Sequence, residues 1–274
     1  MYSRVYVEIT NLCNRSCSFC PGTKRKPRQM SMEEFKEITD RLQGITKYLY
    51  LHVMGEPLTH PLLTDFIRYA TAQGFKVGIT TNGTLLGKRE KELLDSGVYK
   101  VNISVHSFED GSKTAYEDYI MGCIRFADKA SKAGILTVLR LWNNGFDEGR
   151  NDTTEEILRS YFKEDWYVGS RGARLRDKLH LEYGERFEWP DMEEEDRGGA
   201  VFCYGLKDHF GILCDGTIIP CCLDREGVIA LGNIFKDNPR EVLMSERATV
   251  LREGFRKREV TEELCRKCGY ARRF

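Results

Sequence analysis

Three cysteines fall within eight positions, Cys13-Asn14-Arg15-Ser16-Cys17-Ser18-Phe19-Cys20, just after the short apolar stretch Val5 to Ile9. Thiols pair in twos, so a disulfide would leave one over. The spacing is too tight for strands or a regular helix to hold the three apart. They therefore sit on one loop and point at one object. Soft thiolates gathered this way select zinc, copper(I) or an iron–sulfur cluster. A closed zinc site normally takes a fourth protein ligand, and the next Cys or His, His52, is far along the chain. Three ligands with a vacancy fit a cubane cluster with one iron left open, since an ordinary cluster takes four cysteines. A zinc loop is the rival reading.

The chain has ten cysteines, and Met1-Tyr2-Ser3-Arg4 leads at once into a strand, unlike a signal peptide. That combination points to metal work in a reducing compartment, the cytoplasm, and not to a disulfide framework. Forty-two acidic residues balance 42 basic ones, so no global field attracts nucleic acid or an anionic membrane. No apolar run reaches the roughly 18 residues that span a bilayer.

After the Cys loop the pattern alternates. Ser31 with Glu34 reads as a capping box, opening a helix to about Leu42. The strands expected next are 48–52, 75–80, 101–105, 136–142 and 179–183. Helices are expected at 63–73, 88–96, 116–132 and 153–162, the last capped by Asp152 or Thr153. Such alternation means a parallel sheet with covering helices, either an open sheet or a barrel. The stretch 145–176 reads as a polar connection, its basic run Arg171, Arg174, Arg176 and Lys178 a solvated face or a phosphate or carboxylate contact. The acidic run 191–196 and Gly198-Gly199 read as a linker. This places a first domain at 1–197 and a second at 198–274.

Cys-x-x-x-Cys-x-x-Cys in a loop after the first strand resembles the radical S-adenosylmethionine (SAM) enzymes. The resemblance implies a partial (β/α)6 TIM-like barrel whose site is built by loops at the C-terminal ends of its strands. It implies a [4Fe–4S] cluster on Cys13, Cys17 and Cys20, with SAM chelating the open iron. One electron, from a reductant such as flavodoxin or ferredoxin, would cleave SAM to a 5′-deoxyadenosyl radical that abstracts a substrate hydrogen. Met54-Gly55-Glu56-Pro57 resembles the family's Gly-Gly-Glu-Pro stretch, which receives the SAM amino group, with Met54 replacing the first Gly. Thr81 and Asn82 resemble its Thr-Asn-Gly pocket lining, although Asn82-Gly83 also reads as a plain turn. Ser104 is the corresponding candidate for the SAM ribose. Alternation along a strand sets Ser104 and His106 on one face with Asn102. His106 reads either as a proton donor or acceptor or as a hydrogen-bonded structural histidine. Arg140, inside an apolar strand, needs an anionic partner: the SAM carboxylate, or an ion pair with Glu56 or another acidic residue.

The tail carries Cys203, Cys214, Cys221, Cys222, Cys265 and Cys268 around a hairpin turning at Asp215-Gly216. Helices at 239–245 and 248–257 follow. The layout resembles the twitch domain, the shortened relative of the SPASM domain, which holds one auxiliary [4Fe–4S] cluster. Position by position its ligands correspond to Cys203, Cys221, Cys265 and Cys268. The choice between the adjacent Cys221 and Cys222, which face opposite ways if extended, stays open, as does that between Cys203 and Cys214, and so does a structural zinc ribbon built on four cysteines. Cys123 is core. Cys222, Cys214 or Cys123 is a candidate hydrogen-donor thiol.

The leading reading is an enzyme that oxidises a small polar or sugar-like substrate, with the auxiliary cluster accepting an electron. Dehydrogenases of aminocyclitol-antibiotic pathways have the same barrel-plus-twitch plan. The alternatives are a ribosomal-peptide maturase (oxidation, crosslinking or epimerisation) and an RNA-modifying enzyme. The balanced charge weighs against the last.

Overall fold

Alternation of side chains gives each strand one apolar face and one polar face. In β1 (Arg4–Val7) Val5 and Val7 are fully buried against helices while Arg4 and Tyr6 face a cavity. The computed structural model describes residues 1–109 and 111–273. The chain continues through α1 (Met32–Arg41), β2 (Tyr48–Tyr50), α2 (Leu63–Ala72), β3 (Lys76–Thr81), α3 (Leu86–Leu94), β4 (Lys100–Ser104), α4 (Lys113–Lys132) and β5 (Leu136–Asn144). Then come α5 (Arg150–Tyr161), β6 (Tyr167–Gly169), β7 (Gly172–Arg176) and β8 (Leu179–Glu185). The tail supplies β9 (His209–Ile212), β10 (Thr217–Ile219), β11 (Gly232–Asn233), α6 (Pro239–Met244), α7 (Glu246–Lys257) and α8 (Glu263–Arg266).

These strands make one sheet, ordered β11-β10-β9-β1-β2-β3-β4-β5-β8-β7-β6. Six consecutive members, β1 to β5 and β8, run parallel, as the partial (β/α)6 barrel requires. The helices cover the apolar face; Phe35 of α1 stacks on Phe66 of α2 at 4.3 Å. The capping box forms as expected, with Ser31 Oγ accepting from Glu34 N and Glu34 accepting from Ser31 N. No helix among the described residues is long and apolar enough to cross a membrane.

The structure corrects four local expectations. First, α5 begins at Arg150 behind Gly149 in the left-handed region, without a side-chain cap from Asp152 or Thr153. Second, α4 begins three residues before Tyr116, capped by Ser112. Third, β4 stops at Ser104 and Val105–Ser107 forms a 3-10 turn, so His106 does not continue the Asn102–Ser104 face. Fourth, the polar stretch before β8 contains the β6–β7 hairpin at the far edge of the sheet. There Arg176 pairs with Asp128 and lies over Phe162, while Arg174 lies over Tyr167. The basic run therefore serves the edge of the fold.

The tail hairpin turns at Asp215-Gly216 as expected, and β9 pairs in parallel with β1, Arg4 opposite His209. The acidic stretch before it is held by arginines: Asp191 by Arg225, Glu194 by Arg197 and Asp196 by Arg266.

Candidate active site

The Cys loop leaves β1 at Glu8, which is fully buried. A buried charge must be paired, and Arg25, on the returning arm of the loop, meets both Glu8 oxygens at 2.6 and 2.7 Å. Met54 N and Cys214 N also donate to Glu8, each at 3.1 Å. Burial pushes the carboxyl above its usual range, and Arg25 with the two amides holds the ionised form against it. One carboxylate thus ties together the loop, the turn after β2 and the tail hairpin. Sequence reading missed it, although a Glu inside Val5 to Ile9 was the available signal. Asn11 closes the neck, donating to Lys26 O and accepting from Arg28 N at 2.9 and 2.7 Å.

On this neck Cys13 is exposed and Cys17 and Cys20 are half-buried. Asn82 Nδ2 donates to Asn14 Oδ1 at 2.9 Å and approaches Cys13 Sγ at 3.9 Å. Cys17 Sγ lies 3.4 Å from Ser107 O. Burial pushes Cys17 up to about 11, with Glu109 next in effect. The loop therefore lies over the C-terminal ends of β3 and β4. Gly55 is required here: its φ is +76°, and an added Cβ would sit 2.5 Å from Thr10 O. With Glu56 N donating to Leu12 O at 2.8 Å, the turn after β2 rests against the cysteines.

Glu56 itself is taken by the backbone: its oxygens accept from Leu58 N at 3.0 Å and Asn82 N at 2.6 Å. Its carboxylate thus fastens the turn to the end of β3. Thr81 Oγ1 accepts from Gly83 N at 3.0 Å, shaping the next turn. Ser104 is half-buried at the end of β4, and its carbonyl accepts from Ser107 Oγ at 2.7 Å. His106 Nδ1 lies 3.0 Å from Arg140 O and 3.3 Å from Trp142 N, and burial lowers its pKa. Those are the bonds of a structural histidine. Arg140 pairs with Glu182 at 3.3 Å and stacks on Trp142 at 4.6 Å. Its anionic partner in the structure is therefore the ion pair on β8.

Arg140 lines a cavity of about 660 Å³ together with Tyr6, Tyr50, His52 and Asn102. Cys203, Cys221, Cys222, Cys265 and Cys268 line the same cavity. Cys214 does not: it is fully buried, its sulfur 3.8 Å from Arg28 O. Burial pushes Cys221 well above the thiol range, and the like charge of Cys203, Cys222, Cys265 and Cys268 adds to it. Cys265 is raised the same way, by burial and then by Cys203 and Cys268. Thiols that oppose one another's ionisation are a donor set for a cationic centre. Cys222 differs in bonding to Tyr6. Cys123 is 1% exposed, inside α4. Among the described residues no three Cys, His, Asp or Glu converge on a single metal ion. A cubane asks for another arrangement, because its cysteines bind different irons.

A parallel α/β sheet with a three-thiol loop at the C-terminal ends of its strands, and a second thiol set below, defines an iron–sulfur protein of the SAM-cleaving class. The chain belongs to the radical SAM superfamily, whose model matches residues 7–159; residues 203–269 match SPASM, an iron–sulfur cluster-binding domain. The family brings SAM and a [4Fe–4S] cluster, and the SPASM match brings auxiliary iron–sulfur binding.

Among relatives, a GTP 3′,8-cyclase of Alkaliphilus oremlandii is 32% identical over 77% of this chain and 73% of its own. A tungsten-containing aldehyde ferredoxin oxidoreductase cofactor-modifying protein of Pyrococcus furiosus is 36% identical over 37% of this chain and 30% of its own. The matched region thus spans about a third of several curated relatives. In fold the chain is similar to BtrN in complex with AdoMet and 2-DOIA, at TM-score 0.64 and 18% identity, covering 98% of this chain and 93% of that one. It is also similar to Streptococcus suis SuiB bound to precursor peptide SuiA, at TM-score 0.57 and 16% identity, covering 98% and 70%.

Proposed function

We propose that this radical SAM enzyme oxidises a small polar substrate held inside the sheet, in the cavity that the tail thiols line. The observation that carries the reading is the shared cavity, which joins polar inner faces of the strands to the tail thiols. Cys13, Cys17 and Cys20 would hold the SAM-binding cluster, and Cys203, Cys221, Cys265 and Cys268 one auxiliary cluster. When bound, these groups and SAM supply one-electron chemistry: reductive cleavage of the sulfonium, hydrogen abstraction, and a route for the electron that leaves the substrate.

The chain's own part is positional. Asn82 and Asn14 steady the loop beside Cys13, and Gly55 lets the backbone of the turn after β2 approach it. The Glu8–Arg25 pair keeps the loop registered on β1. Tyr6 bonds to Cys222, next to Cys221. The test is anaerobic reconstitution followed by reduction with dithionite or flavodoxin. Two clusters' worth of iron and release of 5′-deoxyadenosine support the reading. One cluster, bound zinc, or no deoxyadenosine overturns it.

A further inference from the structure

Three cations lie on the wall of this cavity, with the carboxylates Glu182, Asp208 and Asp224. Arg4 of β1, Lys100 of β4 and Arg140 of β5 all line the cavity. Glu182 pairs with Arg140. Asp224, also on the wall, accepts from Val228 N and Ile229 N at 2.9 Å and so serves its own turn. Lys100 is half-buried and, among the described residues, its ammonium meets no carboxylate in an ion pair. Burial and the neighbouring Arg140 lower its pKa, with Glu182 opposing and Arg4 adding to the effect. A cation set in a cavity beside two others is costly unless an anion joins it.

Above Lys100 three buried polar atoms of lining residues have no partner in the protein. Asn102, two residues along the same face of β4, is 1% exposed and donates to Thr80 Oγ1 and Ile79 O. Its Oδ1 is buried without a partner, and so are His52 Nδ1 and Trp142 Nε1. All three residues line this cavity. Burial, then Arg140, pushes His52 down to about 3, so its ring is neutral. Its Nε2 meets Thr80 Oγ1 at 3.2 Å, leaving Nδ1 as the ring's remaining polar atom. The indole of Trp142 lies against Gly184, where a Cβ would come within 2.8 Å of the ring. Buried polar atoms are normally satisfied, and three orphans around one cavity mark a place for a polar ligand.

We propose that the substrate carries a carboxylate or phosphate, which meets Lys100, and hydroxyl or amide groups that meet Asn102, His52 and Trp142. The proposal rests on the reading of the cavity as the substrate site and adds the charge of its occupant. The negative charge of a tail cluster is a rival partner for these cations. Arg4 is the cation on that side, since Cys222, next in sequence to the ligand Cys221, acts on it. After burial, the neighbours that act on Lys100 are Arg140, Glu182 and Arg4, none of them a tail cysteine, which leaves it for the ligand.

The test is anaerobic calorimetry on the full chain loaded with its clusters, so that their charge is present. The probes are D-glucose 6-phosphate, D-gluconate, D-glucose and D-glucosamine. The two anions are expected to bind about tenfold or more tighter than glucose, the effect of one charge-assisted hydrogen bond, and glucosamine weakest. Whichever anion binds tighter decides between phosphate and carboxylate. Lys100→Met should remove the preference and Lys100→Arg retain it, with iron content and visible absorbance reporting that each variant is loaded. Equal binding of all four, preference for glucose or glucosamine, no binding by any, or a preference that survives Lys100→Met overturns the proposal. If the loaded chain releases deoxyadenosine from SAM and the four probes still bind alike, only the charge assignment fails. If it releases none, the site reading itself fails.

Discussion

Cys13, Cys17 and Cys20 share one loop whose first thiol is exposed, whereas Cys203, Cys221, Cys265 and Cys268 come from separate segments and meet on a cavity wall. The first set is organised by its surroundings: Asn82, the Gly55 turn and the Glu8–Arg25 pair hold a loop with little apolar surface of its own. The second set organises its surroundings, because a hairpin, two helices and the chain end must converge for the thiols to meet. A loop held from outside can leave one side of its cluster open to SAM. A set that is itself the junction of its segments encloses what it binds. Chemistry should therefore depend on the first set, and folding on the second.

The largest effect that would break this contrast is at the loop. Cys17→Ala should lower deoxyadenosine release by about a thousandfold or more, while thermal unfolding moves little. A large fall in melting temperature with activity intact would reverse the assignment. Cys265→Ser should remove the tail cluster and also destabilise the chain by several kcal/mol, since metal binding there is folding free energy; calorimetry and iron content read both. Glu8→Gln attacks the one carboxylate that both regions share. Breaking a buried pair costs about 3–5 kcal/mol, so denaturant midpoints should fall and both clusters load poorly. Loss of one cluster alone would show that the regions are not coupled through Glu8.

Gly55→Ala sharpens the contrast on the loop side. The added carbon meets Thr10 O at 2.5 Å, so SAM cleavage should drop while tail-cluster absorbance stays. The smallest effect concerns the cavity that the tail set lines. His52 stays neutral down to about pH 3, whereas an unfolded histidine takes its proton near pH 6.5. Between those values the unfolded chain binds more protons, so stability falls as pH falls through that window. His52→Gln should flatten the slope of melting temperature between about pH 7.5 and about pH 5.5.

Where a signal is local, the sequence carried it. The Ser31–Glu34 box and the Asp215-Gly216 turn each depend on residues a few positions apart, and each forms. Signals that need a distant partner were not legible. Arg140 plainly required an anion, but β8 had to be laid beside β5 before Glu182 could be named. Glu56 has the residue type of the family stretch, and only the placement of Asn82 N shows its carboxylate bound to backbone. The β6–β7 hairpin hid in a polar run because an edge strand buries too little to leave an alternating apolar pattern.

By itself the sequence determined the chemistry of the ligands and the alternation of strand and helix, because thiol spacing and side-chain period act within a few residues. Tertiary structure alone decided that β9 would join β1, that Glu8 would bind three segments, and that Lys100 would share a cavity with the tail thiols. Those outcomes depend on pairing segments up to some two hundred residues apart, where burial and backbone hydrogen bonding choose among many registers that no local pattern distinguishes.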